Sequence, residues 1–245
     1  METVHFSRHT PTLSHHSKIE YYRVLFMRTI ANFLILSSLF MIGKTFYQPI
    51  KAELNYFTNS YFQKKFVVQD LTTSQNPTQP QQGSLSKLLN LRQVEVMVPQ
   101  DPEFSIIIPK IGANSRVIAD VNSGDDKEYL AALKKGVAHA LGTDFPGEGG
   151  HIFLFAHSAD NIFDIGTYNA VFYLLYKLEK DDEINVFYKN KRYVYKVIDK
   201  KIVESTDVEY LTRKTDSEFL TLQTCYPPGT SLKRLLVFAV PANTF

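Results

Sequence analysis

Three side chains in this sequence have the types and order needed for acyl transfer: a thiol at Cys225, an imidazole at His157 and a guanidinium at Arg234. Amide exchange requires a nucleophile that can carry an acyl group, a group that handles the proton of the leaving amine, and a donor for the developing oxyanion. A thiolate is strongly nucleophilic and its thioester can be passed to another amine. Imidazole titrates near neutrality, so it can protonate one amine and later deprotonate another. A guanidinium keeps its charge and cannot act as the base, which leaves it an electrophilic or substrate-positioning part. Taken singly, a cysteine is most often a small buried hydrophobe and an arginine at a strand start a solvated charge.

The elements that would position these groups are legible in the spacing. Thr221 to Arg234 reads Thr-Leu-Gln-Thr-Cys-Tyr-Pro-Pro-Gly-Thr-Ser-Leu-Lys-Arg. Leu220, Leu222 and Thr224 alternate with Thr221, Gln223 and Cys225, the period of a half-buried strand, and this places the thiol on the polar face. Tyr226-Pro227-Pro228-Gly229 stops that strand, and a second β-rich run begins at Arg234. Two antiparallel strands joined in this way set Cys225 and Arg234 side by side. His157 ends the apolar run from Ile152 to Ala156, which places it at a strand edge beside a loop. His139, next to Val137 and Ala138, reads as structural, and His151 opens the strand, most of its length away from His157. Asp160 and Asp164 could orient His157, although acids in a polar loop are usually solvated.

The chain has 245 residues, of which 44% are hydrophobic and 21% charged, and the formal net charge is +2. This is the composition of a globular protein with room for one well-buried domain and appendages. Residues 1–102 carry ten Lys and Arg against six Asp and Glu, whereas residues 103–245 carry seventeen against nineteen. A slightly acidic domain lacks the basic face that nucleic-acid binding needs, so no nucleic-acid partner is expected. No zinc-type Cys/His spacing is present. A single cysteine cannot form an intramolecular disulfide, so the fold depends on its core. In an exported protein an unpaired cysteine is a candidate reactive thiol.

Residues 1–23 are polar and read as a cytoplasmic tail; His5, His9, His15 and His16 lack metal-site spacing. Val24 to Gly43 is almost continuously apolar and close to the ~20 residues that cross a bilayer, so it reads as a single transmembrane anchor. Arg28 lies inside it near one end, where a long side chain reaches the interface. A cleaved signal peptide is the competing reading, but no small-x-small cleavage site follows. Basic residues favour an N-terminus inside the cell. Residues 44–99 are expected to be a juxtamembrane segment rich in aromatics, followed by a Thr/Gln/Pro-rich spacer at 72–84 with too little apolar surface to order itself. Ser86 to Arg92 reads as a short helix leading to Val94–Val98.

From about residue 100 to 245 the pattern is of many short strands and few helices. Phe104–Ile111, Ile152–Ala156, Ile184–Tyr188, Tyr193–Ile198, Phe219–Thr224 and Leu235–Val240 are β-rich. Asp125 to Leu133 has helical spacing in Tyr129, Leu130 and Leu133. The expected fold is mainly β, a closed barrel with a few short helices.

The motif Thr221-Leu222-x-Thr224-Cys225, with Pro228-Gly229 and an arginine nine residues after the cysteine, resembles the active-site signature of the sortases, cysteine transpeptidases of bacterial cell surfaces. The resemblance extends over roughly 103–241: Ile-Pro-Lys-Ile-Gly at 108–112, Gly-Val-x-His and Thr-x-x-Pro-Gly-Glu within 133–149, and the His151–His157 strand. Ala156 and His151 depart from the glycine and asparagine common at those places. The resemblance implies Cys225 as nucleophile, His157 as acid and base, and Arg234 as oxyanion or substrate-positioning group, without dependence on a third acid. Thr224, Ser158 and Leu222 are candidate substrate contacts. It further implies cleavage of a sorting motif of the Leu-Pro-x-Thr-Gly or Leu-Ala-x-Thr-Gly type and transfer to an amine such as a peptidoglycan stem or a pilin lysine. The loop after the cysteine looks closest to classes D and E. Asp101-Pro102-Glu103-Phe104 matches the lid motif of pilus-building members poorly, so polymerisation is not expected. No cofactor is expected. Some sortases bind calcium, and Asp125-Asp126 and Glu179 with Asp181-Asp182-Glu183 carry suitable oxygens, yet their context, with Lys180 interleaved, is that of solvated turns. The alternatives are a hydrolytic cysteine peptidase and a silent sortase-like scaffold module.

Overall fold

A computed structural model describes residues 15–61, 65–69, 94–158 and 170–242. The expected spacer at 72–84, the helix at 86–92 and the acids Asp160 and Asp164 lie outside the described residues. The chain divides into an N-terminal unit extending to Tyr47 and a compact unit from Gln48 onward.

The N-terminal unit is made by helix α1, His15–Tyr61, which continues into the compact unit and contains Pro49. It is the one helix among the described residues long and apolar enough to cross a membrane. Leu25, Phe26, Phe33, Leu36 and Phe40 are all exposed along it, the surface a lipid-facing helix presents. Three hydroxyls in its apolar stretch are satisfied within the helix: those of Thr29, Ser38 and Thr45 donate to the carbonyls of Leu25, Ile35 and Met41. Such back-bonding removes the cost of an unpaired hydroxyl in an apolar medium.

The compact unit is a closed barrel. Its strands are β3 (Phe104–Ile108), β4 (Ala113–Val121), β5 (Val137–Ala140), β6 (His151–Phe155), β7 (Glu183–Tyr188), β8 (Lys191–Glu204), β9 (Phe219–Tyr226) and β10 (Lys233–Pro241), in the order β10-β8-β7-β3-β4-β5-β6-β9. The β4–β5 and β6–β9 pairs are parallel and the others antiparallel. The mainly β, closed-barrel expectation is therefore met. Closure leaves no unpaired sheet edge. The strand expected over Phe104–Ile111 ends earlier, because Pro109 opens a 3-10 turn over Pro109–Ile111 and Gly112, at φ +65, reverses the chain into β4.

Ile106, Ile152, Leu154, Val186, Leu222 and Val237 fill the interior and are fully buried. Each such side chain contributes about 1.5–3 kcal/mol relative to exposure. A second layer lies on the outside. There Phe153, Phe155, Leu236 and Phe238 are covered by Ala132 and Leu133 of helix α2, Asp126–Leu133. This explains why β6 reads as an unbroken apolar run rather than an alternating one: both of its faces are covered. The inward stripe of α2 is Tyr129, Ala132 and Leu133, while Leu130, expected on that stripe, is exposed.

Two further segments join the compact unit. Strands β1 (Lys65–Val68) and β2 (Val94–Met97) pair in parallel, and Val68 and Met97 pack on Ile107 and Phe187. The Arg192 guanidinium donates to the Val68 carbonyl at 3.3 Å. The last turns of α1 contact the 3-10 turn Leu175–Lys177: Glu53 accepts from the Tyr176 hydroxyl and pairs with Lys177 at 3.3 Å. Residues on both sides of the expected spacer thus pack with the barrel, where the sequence alone suggests a domain starting near residue 100.

Gly147 belongs to the Thr-x-x-Pro-Gly-Glu stretch and is required by geometry. It has φ +89, and a Cβ there would stand 2.6 Å from the Tyr193 hydroxyl. Its N–H donates to Glu218 at 2.9 Å, and the other oxygen of Glu218 accepts from buried Tyr195 at 2.6 Å.

Candidate active site

The outer face of β6, β9 and β10 is organised in rows set by strand register. Phe153, Thr221 and Phe238 form one row, and Phe155, Gln223 and Leu236 the next. One pleat farther on, Cys225 is directly opposite Arg234. The parallel β6–β9 contact continues past the end of β6: the Ala156 N–H donates to the Gln223 carbonyl at 3.1 Å, and Thr224 Oγ1 donates to the Ala156 carbonyl at 2.9 Å. This tie brings His157 to the end of the same row, beside Cys225. The side chains of one pleated face recur every second residue, so 153-155, 221-223-225 and 238-236-234 share the outer face, and position 157 is the next in the first series, just past the end of β6. All three candidate residues are half-buried, with Val203 of β8 completing the row beyond Arg234.

Local chemistry holds the two strand ends. Tyr226–Pro227 is a cis peptide, the Thr230 N–H donates to the Pro227 carbonyl at 3.0 Å, and Gly229 takes φ +83. Arg234 uses Nη1 to donate to the carbonyls of Ser231 at 3.1 Å and Lys233 at 3.2 Å. Those bonds pin one prong of the guanidinium fork, with Nε and Nη2 outside them. The Phe172 N–H donates to the His157 carbonyl at 3.3 Å, fixing the backbone on the other side.

The remaining sequence candidates have other positions. Leu222 is inside the barrel and fully buried, so it supports β9 and does not face a substrate. Thr224 is 4% exposed and spends its hydroxyl on Ala156. Ser158 is buried directly after His157. Asp101 accepts from the Glu103 N–H at the entry to β3, and Phe104 is buried against Tyr188. Asp125 caps α2 by accepting from the N–H groups of Lys127 and Glu128, while Glu179 and Asp182 pair with Lys110 at 2.8 and 2.9 Å.

His139 and His151 are both buried away from this row. His139 Nε2 donates to the Asp144 carbonyl at 3.0 Å and Nδ1 accepts from the Asp120 N–H at 3.3 Å, with the ring against Phe145. His151 Nδ1 donates to the Arg213 carbonyl at 3.1 Å and Nε2 accepts from the Thr221 hydroxyl at 2.8 Å. Burial disfavours the imidazolium and lowers both pKa values. The unfolded chain takes up these protons near pH 6.5 and the folded protein resists them. The stability they contribute is complete above about pH 6.5 and is lost as pH falls below it toward the lowered folded values. Melting temperature should therefore drop between pH 7 and pH 5, and His151→Asn should drop less over that interval; an equal drop in both proteins would exclude His151 as a contributor.

Tyr129 is a neighbour of the row that sequence spacing marks only as a helix-face residue. Its ring stacks on Phe155, with centroids 5.4 Å apart and planes within 12°. Its phenol pKa is raised, first by burial and then by the negative charge of Cys225 as a thiolate, while Arg234 acts in the opposite sense and Asp126 adds to the rise.

A family model of the sortase domain matches residues 106–242, more than half of the chain. The chain belongs to the sortase family. It is similar to sortase D of Bacillus subtilis (strain 168), 29% identical over 134 residues, which are 54% of this chain and 59% of that protein. The match thus spans less than two thirds of that curated relative. Among solved sortases, it is 28% identical to sortase C-1 from Actinomyces oris, with a TM-score of 0.48, over 58% of this chain and 75% of the other. It is also 28% identical to Clostridium perfringens sortase C with the C-terminal cell wall sorting motif, with a TM-score of 0.46, over 56% of this chain and 69% of the other. The sortase match begins inside β3 and ends just after β10, so it covers the barrel and the row of Cys225, His157 and Arg234.

Proposed function

We propose that this sortase is a cysteine transpeptidase held at the membrane by α1, with the N-terminus in the cytoplasm and the barrel outside the cell. The observation that supports this most is the single outward row in which Cys225 faces Arg234 with His157 at the neighbouring strand end. A thiol, an imidazole and a guanidinium on one exposed row meet the needs of acyl transfer without a metal or cofactor.

The proposed reaction starts when the Cys225 thiolate attacks the carbonyl carbon of a threonine in a Leu-Pro-x-Thr-Gly or Leu-Ala-x-Thr-Gly type motif. Arg234 donates to the oxygen that becomes negative. Protonated His157 gives its proton to the glycine nitrogen as the carbon–nitrogen bond breaks, which leaves a thioester on Cys225 and a free amine. An incoming amine then attacks the thioester, His157 takes its proton, and the carbon–sulfur bond breaks to return the thiolate. The donors are surface proteins bearing a C-terminal sorting motif, and the acceptor is an amine of the cell surface, such as a peptidoglycan stem or a pilin lysine. The loop from Pro227 to Leu232 supports assignment near classes D and E.

The test is mass spectrometry on the full chain in detergent, incubated with peptides of each motif. An adduct on Cys225 equal to the peptide up to threonine should appear and then disappear when an amine is added, with the amide product formed. Discharge at the same rate without amine, giving only the acid, would replace the transpeptidase reading with a hydrolytic one. Absence of any adduct with either motif would refute the substrate assignment.

A further inference from the structure

Helix α2 lays Tyr129 over the outer face of β6, on the row next to the one that holds Cys225. The helix is fixed at its start by Asp125, whose carboxylate accepts from Lys127 and Glu128 N–H groups, and along its length by Ala132 and Leu133 in the outer apolar layer. Tyr129 is the first of these inward positions and stacks flat on Phe155. Phe155 is paired with Gln223, and Cys225 is two residues beyond Gln223 on the same face. Cys225 is the next outward residue beyond Gln223 on β9, so a ring lying on Phe155 borders the Cys225 row, and its hydroxyl projects beyond the ring edge. The electrostatic neighbours of the phenol agree with that placement, since they are Cys225, Arg234 and Asp126.

We infer that the Tyr129 hydroxyl is a hydrogen-bond donor to the Cys225 sulfur in its thiolate form, and so a fourth functional residue of the site. The inference rests on the proposal that Cys225 is the nucleophile. A phenol suits the role because it donates one proton without adding charge, whereas a second cation beside Arg234 would compete with it for the oxyanion. Stacking on Phe155 holds the ring at no cost in loose side-chain freedom when the thiolate forms. When the sulfur becomes a thioester it loses its charge, and the hydroxyl is released to solvent or to the substrate carbonyl. The charged and titratable groups around Cys225 are then Arg234 from β10, His157 after β6, Tyr129 from α2 and Tyr226 next in the chain.

The experiment measures the rate of Cys225 alkylation by iodoacetamide against pH in the full chain in detergent, with Tyr129→Phe and Tyr129→Leu. Phenylalanine keeps the stack and removes only the hydroxyl. Alkylation of Tyr129→Phe should be about tenfold slower at pH 7, the scale of one hydrogen bond to a charged group, and should equal or exceed that of the parent at pH 10, where the thiol is ionised in both. Tyr129→Leu should show the same change with a lower melting temperature. Identical profiles for the parent and Tyr129→Phe would overturn the inference. So would a change seen only with leucine, which would assign the effect to ring packing. Alkylation needs no sorting peptide, so a missing acyl adduct would defeat the proposed function without altering this result.

Discussion

Cys225→Ala is expected to give no acyl adduct with any sorting peptide and to lower peptide turnover by roughly ten-thousand- to millionfold, the scale on which acyl-transfer enzymes lose activity when their nucleophile is removed. The size follows from the role proposed for the thiol. Without sulfur there is no covalent intermediate, and the guanidinium and imidazole can only assist direct attack by water or amine. The fold should survive, because Cys225 is half-buried on the outer face and the contacts that lock the end of β9 belong to its neighbours: Thr224 to Ala156, and the turn closed by Thr230 on Pro227. A melting temperature within a few degrees of the parent, read beside the lost adduct, separates loss of chemistry from loss of structure. A Cys225→Ala protein that cleaves peptide as well as the parent would place the reaction elsewhere in the molecule.

The second large effect is expected at Arg234. Removing one oxyanion donor typically costs on the order of a hundred- to a thousandfold in rate, so Arg234→Ala should lose that much in kcat/KM. Arg234→Lys should keep a trace of turnover between the two. It retains the charge, but an ammonium cannot hold the Ser231 and Lys233 carbonyls with one nitrogen while offering two others toward a substrate. The comparison is made with a quenched fluorescent sorting peptide under kcat/KM conditions. Near-normal activity in Arg234→Ala would contradict the assigned role, whatever the adduct on Cys225 shows. Arg234 lies directly across from Cys225, so acylation itself should slow, not only the transfer step.

The two strands that carry Cys225 and Arg234 are legible in the sequence because their information is local. Alternation over Leu220–Cys225, a proline-glycine stop and a β-branched restart define a hairpin without knowledge of the rest of the chain, and the pairing of Cys225 with Arg234 follows from it. The apolar length of Val24–Gly43 is equally local and reappears within α1. Other elements were hidden because their signals are weak or are supplied from far away. Strand β5 is four residues, Val-Ala-His-Ala, and is a strand only because β4 and β6 lie on either side of it. Strands β1 and β2 are separated by 25 residues of sequence, and only the tertiary structure pairs them and lays them on Ile107 and Phe187.

Placement of side chains divides in the same way. Sequence alone determined the residue types, the order of histidine, cysteine and arginine, the face on which the thiol stands and the class of chemistry they permit. Alternation already sets Leu222 on the face opposite the thiol, and the barrel makes that face its interior, so Leu222 is no substrate contact although the resemblance of its motif suggests one. Sequence alone could not bring His157 to Cys225, since 67 residues lie between them and only the parallel pairing of β6 with β9 aligns the two strand ends. Tyr129 is the clearest case. In the sequence it is one apolar position of a short helix; its closeness to Cys225 depends on how α2 packs across Phe155, a contact made by the folding of three separate elements that no spacing within one of them encodes.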